Sequence, residues 1–190
     1  MLVGLDIDGV VADFVTPFLQ LLERRSGGGP IDPETISDPN FTRHPFLTKE
    51  IIDACVEEVS GDAEFWRRLA PLLPARQWLS LDRLSRERRL IFITHRWEKS
   101  NYDINQVTCD WLRGQGVSEP VVHFTQDKKS QLVRQLGIRL FVDDRHENCE
   151  DVATQTEALV LMPHRPYNQA FSHPKVRRIQ DLDALFEYLG

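Results

Sequence analysis

Five short apolar runs rich in Val, Ile and Phe recur at 2–5, 90–93, 121–124, 139–142 and 158–162. Each is near-continuous rather than alternating, the pattern of strands covered on both faces, and such strands belong to parallel sheets. Between the later runs the apolar residues fall at helical spacing. Ile104, Val107, Trp111 and Leu112 do so within 102–113; Leu132, Val133 and Leu136 do so within 129–136, which ends at Gly137, a residue suited to the turn after a helix. Further helices are predicted near 147–155 and 181–189. The alternation implies a three-layer α/β fold on a doubly wound parallel sheet.

The stretch between the first and second runs is far longer than a crossover needs. Residues 11–25 predict a helix with Val11, Phe14, Val15, Phe18, Leu19 and Leu22 on one side. Gly27-Gly28-Gly29-Pro30 breaks it, and Pro33, Pro39 and Pro45 punctuate an irregular stretch. Helical patterns return at 48–59 and 63–69, Pro71 and Pro74 end them, and 76–86 leads back to the sheet. Residues 15–72 are therefore expected to form a small helical cap inserted after the first strand, with 1–14 and 73–190 as the core.

Asp6 and Asp8 stand at the close of the first run, followed by Gly9. Two carboxylates there repel each other and are partly desolvated, and a divalent metal is the usual resolution. Ligands of open α/β sheets gather at the carboxyl ends of strands. Three more features fall at or beside such ends: Thr94 closes the second run, Lys128 and Lys129 open the helix after the third, and Asp143-Asp144 close the fourth. In a parallel sheet all four meet at one edge.

In this order the set resembles the haloacid dehalogenase-like hydrolase superfamily, whose signature is D-x-D-x-[T/V], a Ser/Thr after an apolar strand, a Lys and a closing acidic pair. The likeness spans nearly the whole chain. Within that superfamily the chain is similar to the 5′(3′)-deoxyribonucleotidase branch, the cytosolic type C nucleotidases. The residues carrying this narrower likeness are Asp6-x-Asp-Gly-Val-x-Ala-Asp-Phe14, Glu64-Phe-Trp66 with Leu69 and Pro71, Asp143-Asp-Arg145 and Pro166-Tyr-Asn168.

The resemblance implies a Mg²⁺-dependent phosphomonoester hydrolase. Asp6 is the expected nucleophile, forming an aspartyl-phosphate once cationic charge offsets the repulsion between two anions. Asp8 is the expected acid and base, and its backbone carbonyl is expected to meet the metal. Gly9 permits a tight turn beside the phosphate. Thr94 is expected to hydrogen-bond a phosphoryl oxygen, and a lysine to neutralise charge on that group and on Asp6. Lys129, fourteen residues before Asp143, fits the family spacing better than Lys128, which stands in reserve. Asp143 and Asp144 complete the Mg²⁺ shell, one directly and the other through water; either could also cap the following helix, worth about 1 kcal/mol.

Arg96 and Arg145 sit where a substrate phosphate or leaving group could be clamped. Phe14 is the expected stacking contact for a base, with Phe18, Phe41, Phe46, Phe65 and Trp66 as further aromatic residues that a small cap would also use as its own core. The histidines show no metal-ligand spacing.

Composition narrows the classes. A length of 190 residues suits one domain with a modest insertion, and the formal net charge of −6 argues against a nucleic acid polymer as partner. A small phosphorylated substrate, such as a nucleoside monophosphate or a sugar phosphate, remains compatible with it. Cys55, Cys109 and Cys149 form no C-x-x-C pair, which fits a reducing, cytoplasmic setting without disulfides. No signal peptide and no membrane span are expected, and the chain is expected as a monomer or homodimer. A signalling receiver module also uses Asp, Thr and Lys around Mg²⁺, but it places the acidic pair first and has no such insertion. A non-catalytic phosphate-binding relative would usually lack one of the two leading aspartates.

Overall fold

The structure, a computed structural model, describes residues 1–96 and 101–189; Gly190, the last residue of the expected core, lies outside it. The first apolar run forms β1 (Val3–Leu5), buried at every position. The chain then folds around the Ile7 carbonyl, which accepts from the N–H groups of Val11 and Ala12 at 2.9 Å. Ala12–Asp13 forms the short strand β2 before the helix α1 (Val15–Ser26).

The helix predicted from residue 11 therefore starts four residues later. Its first turn is closed by Asp13 Oδ1, which accepts from the Thr16 N–H at 3.0 Å. A 3₁₀ turn (Pro33–Thr35) and the helices α2 (Lys49–Ser60) and α3 (Ala63–Arg67) follow. β3 (Ala70–Pro71) then pairs antiparallel with β2, Ala12 opposite Pro71 and Asp13 opposite Ala70. The inserted segment thus leaves and rejoins the sheet through a two-stranded neck. Thr48 and Asp62 start α2 and α3 by accepting from the N–H groups of Ile51 and Glu64.

The remaining chain alternates as expected: α4 (Ala75–Arg86), β4 (Leu90–Thr94), α5 (Ile104–Gly114), β5 (Val122–Phe124), α6 (Lys129–Leu136), β6 (Leu140–Val142), α7 (His146–Gln155) and β7 (Leu159–Pro163). A sixth strand, β8 (Val176–Ile179), and the short helix α8 (Asp183–Glu187) close it. The sheet order is β5-β4-β1-β6-β7-β8 with every neighbouring pair parallel. From β1 the chain builds outwards through β4 and β5, then returns to the other side of β1 with β6. β1 is therefore flanked by the two strands at which the winding reverses, where such sheets bind ligands.

Alternate strand residues feed two cores. Ile93, Phe141 and Val160 pack with Val133, Cys149 and Val152 from α6 and α7. Phe92, Leu140, Val142 and Leu161 pack on the other face with Trp78, Leu81 and Leu84 of α4, Val107 and Leu112 of α5, and Leu185 of α8. That second core runs on without interruption into Phe18, Leu19, Leu22, Cys55, Val59 and Trp66 of the inserted segment. No helix among the described residues is long and apolar enough to cross a membrane.

Candidate active site

Each strand that meets the reversal point ends on a polar residue held in the interior. Asp6 follows β1 with 4% exposure, and its N–H donates to the Val142 carbonyl of β6 at 2.9 Å. Thr94 ends β4 with 1% exposure, and Asp143 and Asp144 follow β6 at 0% and 4%. Lys129, the first residue of α6, points back into this cluster. Its Nζ lies 2.7 Å from Asp6 Oδ1 and 2.7 Å from Asp143 Oδ2. Lys128 is solvent-exposed, and its Nζ lies 3.7 Å from Asp151 Oδ1. Of the two lysines the fold brings Lys129, not Lys128, to the aspartates.

Asp143 is held from several directions. Its Oδ1 accepts from the Arg145 N–H at 2.9 Å, Asn148 Nδ2 lies 3.2 and 3.1 Å from its two oxygens, and its carbonyl accepts from Cys149 Sγ at 3.1 Å. Asp144 Oδ2 accepts a short hydrogen bond from the Tyr167 hydroxyl, and Asn168 Nδ2 donates to the Asp144 carbonyl at 2.8 Å. Asp144 Oδ1 is buried without a hydrogen-bond partner among the described residues. Gly9 is obligatory here. It has φ +84°, and a Cβ on it would lie 2.1 Å from Asp144 Oδ2 and 2.9 Å from the Tyr167 hydroxyl.

Asp8 faces a different partner. Arg96 donates from Nε to Asp8 Oδ2 at 2.9 Å and from Nη2 to Oδ1 at 2.7 Å, a two-point pairing. Among the described residues the cations bonded to these four carboxylates are Lys129 and Arg96, which leaves two negative charges in a largely buried space. The electrostatics register the deficit. Burial pushes the Asp6 carboxyl well above its usual range; Lys129 pulls it back, and Asp143, Asp144 and Asp8 push it up again. Burial and then Asp143 raise Asp144 to about 6, against the Tyr167 hydrogen bond. Burial alone would lower Lys129, but Asp143 and Asp6 more than reverse it and keep the ammonium charged.

Oxygens of Asp6, Asp143 and Asp144 lie within 4.8 Å of one another, all three residues buried. An all-carboxylate donor set, an unbonded Oδ1 and a net negative charge fit a hard divalent cation. These three residues could hold one.

Beside the cluster opens a cavity of about 110 Å³, lined on the core side by Asp6, Asp8, Thr94, His95, Arg96 and Asp144. On the side of the inserted segment it is lined by Phe14, Pro39, Phe41 and Trp66, and Arg145 and Tyr167 complete its wall. Of the aromatic residues that the sequence offers, Phe14, Phe41 and Trp66 line the cavity, Phe18 is buried in the core, and Phe46 is exposed. Arg145 lines the cavity while its Nη2 donates to Asn40 Oδ1 at 2.7 Å, tying the wall to the inserted segment.

Four residues gain importance only in three dimensions. Tyr167 appears in a sequence motif, but its bond to Asp144 spans 23 residues. Asn148 and Arg165 gave no sequence signal; Arg165 Nε donates to the Gly9 carbonyl at 2.9 Å. His95 has no metal-ligand spacing, yet it lines the cavity, and burial with the charge of Lys129 behind it lowers its pKa.

The parallel sheet with its 3-2-1-4-5-6 strand logic, and an acidic cluster bridged by a lysine at its reversal point, define a haloacid dehalogenase-like hydrolase. Solved structures agree on the fold. A hydrolase from Pseudomonas syringae superposes with a TM-score of 0.58 at 12% identity, over 100% of this chain and 99% of that one. A HAD-superfamily hydrolase, subfamily IA, variant 1, from Geobacter sulfurreducens PCA gives 0.55 at 15% identity, over 98% and 97%. Within that class the chain belongs to the family "5′ nucleotidase, deoxy (Pyrimidine), cytosolic type C protein", whose profile matches residues 1–186. It is an enzyme of the phosphatase type. Curated relatives include YqfW of Bacillus subtilis (strain 168), whose name marks it as a candidate nucleotidase, 27% identical over 169 residues, 87% of this chain and 81% of that protein. BH1399 of Halalkalibacterium halodurans, similarly named, is 25% identical over 190 residues, covering 93% and 86%.

Proposed function

We propose that this protein is a Mg²⁺-dependent phosphomonoesterase working through an aspartyl-phosphate on Asp6, with a (deoxy)nucleoside monophosphate as substrate. The observation that carries the reading is the buried Asp6–Lys129–Asp143 bridge beside the unbonded Asp144 Oδ1. It is a site short of positive charge at the head of a cavity. Asp6, Asp143, Asp144 and the Asp8 carbonyl would hold Mg²⁺, which supplies charge neutralisation between a carboxylate nucleophile and a phosphate.

Asp6 attacks phosphorus, the bond to the leaving oxygen breaks with its electron pair, and Asp8 gives that oxygen a proton. Water then attacks the phosphorus of the acyl phosphate and loses a proton to Asp8, and the bond to Asp6 breaks to restore the carboxylate. Lys129 and Thr94 hold the phosphoryl oxygens, the former by charge and the latter by its hydroxyl. Residues 15–72 act as the cap that excludes water and meets the leaving group, over a core of 1–14 and 73–190. Phe14 and Arg145 contact the substrate from the cavity wall. Cysteines 55, 109 and 149 are all free, which supports a reducing compartment such as the cytoplasm.

The family and the names of the relatives support a nucleotide. A sugar phosphate is the second reading. It is favoured by the cavity of about 110 Å³, which is below the roughly 300 Å³ at which pockets usually begin to enclose larger ligands. Phosphate release from an aryl phosphate should require Mg²⁺ and stop in EDTA; equal rates under both conditions would sink the metal-dependent reading. Across a panel of nucleoside monophosphates and sugar phosphates, the highest kcat/KM should fall on a nucleotide. Turnover of a sugar phosphate with none on any nucleotide would move the substrate to the second reading.

A further inference from the structure

Arg96 lies two residues beyond Thr94, where a phosphate clamp was expected, yet it is only 2% exposed. Two of its nitrogens are bonded to Asp8, and Nη1 donates to Thr108 Oγ1 of α5 at 3.0 Å. The face of its guanidinium lies 4.7 Å from the ring centre of Trp66, on α3 of the inserted segment. Each of its three nitrogens, and one face of the guanidinium, is engaged by a protein group. The two supports are themselves joined, because Trp111 Nε1 of α5 donates to the Leu69 carbonyl just after α3 at 2.9 Å.

We propose that Arg96 is a positioning residue for Asp8, and that Trp66 extends this control to the inserted segment. The proposal rests on reading Asp8 as the proton donor and acceptor of a phosphomonoesterase. Such a carboxyl must keep one orientation in two protonation states. Ionised, it accepts two parallel N–H bonds from a planar fork. With a proton on one oxygen it loses one of those bonds and keeps the other, so the fork still holds the carboxyl plane. A lysine would offer a point charge and no plane. Thr108 pins the far nitrogen of the fork. Trp66 attracts its cationic face and blocks the space into which it could swing. The aromatic residue of the inserted segment therefore serves the acid, and its face is closed to a base.

Leaving-group dependence separates this role from phosphate binding. An aryl phosphate departs as a weak base and needs little proton donation, whereas an alkyl phosphate departs as a strong base and needs it. The parameter to compare is kcat/KM with Mg²⁺, which covers steps up to cleavage of the phosphorus–oxygen bond. Arg96→Lys should lose about a hundredfold on the alkyl ester and at least about tenfold less on the aryl ester, through kcat more than KM. Asp8→Asn should show the same selectivity, and the double variant should be no worse than Asp8→Asn alone. Trp66→Leu should move the alkyl-to-aryl ratio the same way to a smaller degree, and it decides the matter if Arg96→Lys fails to fold. Equal losses on both esters, or a loss carried by KM, overturn the proposal and return Arg96 to the phosphate. A wild-type protein that turns over neither ester overturns the reading of the site instead, and the proposal with it.

Discussion

In the crevice after β1 and β6, four carboxylates stand against two directly bonded cations among the described residues; in the inserted segment, rings stand against rings. There Phe18 and Trp66 stack on Phe14, the residue just before the segment, at 4.9 and 5.8 Å, and Phe41 leans on Phe18 at 5.2 Å. The first region is desolvated without being neutralised, so it lowers the stability of the fold that carries it. The second gains from every contact that it buries. On the proposed function, one region is kept for what it does to a phosphate, the other for what it does to the chain. Arg96 over Trp66 is where the two meet. Substitutions should therefore split by sign and by sensitivity to Mg²⁺, and that split is open to measurement.

Asp6→Asn should produce the largest change. Loss of the proposed nucleophile is expected to lower kcat/KM by about 10⁴-fold or more, roughly 5 kcal/mol of barrier. The same variant should melt higher than wild type in EDTA at neutral pH. Burial holds the Asp6 pKa well above its usual range, so its contribution to stability is present at low pH and lost as pH rises. A neutral amide escapes that loss. Each kcal/mol regained should appear as about 2–4 °C in Tm. A melting point below wild type in EDTA would mean that Asp6 stabilises the fold, and the contrast between the regions would fail on its first residue.

The polar crevice and the aromatic segment were not equally legible in the sequence, for physical reasons. Acids, a hydroxyl and a lysine that follow apolar runs in chain order are visible in a sequence, so Asp6, Thr94, Lys129 and Asp143, which the fold brings to one sheet edge, stand out beside runs covered on both faces. Choosing Lys129 over Lys128 needed a spacing argument, because adjacent residues at a helix start differ only in where they point. β8 is not legible in the sequence because an edge strand reading Val-Arg-Arg-Ile has no continuous apolar run. The neck is equally invisible there, because β2 and β3 have two residues each, too few to show a period. The partnership of Arg96 with Asp8 spans 88 residues, and no local pattern records it.

Lys129→Met comes next in size. It removes the ammonium that bridges Asp6 and Asp143 and leaves the carboxylates facing one another. In EDTA a loss of about 3–5 kcal/mol is expected from denaturant unfolding. Mg²⁺ should restore part of it, since a cation bound only to the folded state stabilises that state. Equal losses with and without Mg²⁺ would show that the lysine does not act by neutralising the charge that Mg²⁺ neutralises.

Phe18→Leu tests the other side at a smaller scale. Phe18 is 1% exposed, between Phe14 and Phe41, and it belongs to the core that runs from the sheet into the inserted segment. Leucine keeps the position apolar but removes ring contacts and leaves a small void, for which about 1–2 kcal/mol is a reasonable loss. Among the described residues no charged group of the crevice bonds to Phe18, so this loss should be the same in Mg²⁺ and in EDTA within error. The unfolding free energies of wild type and variant, measured in both buffers, give the comparison directly. If Mg²⁺ changed the cost of Phe18→Leu by as much as it changes that of Lys129→Met, the aromatic segment would be coupled to cation binding at its base as well as through Trp66. The inserted segment would then answer to the metal along its whole length, and the division between a region kept for chemistry and a region kept for packing would no longer hold.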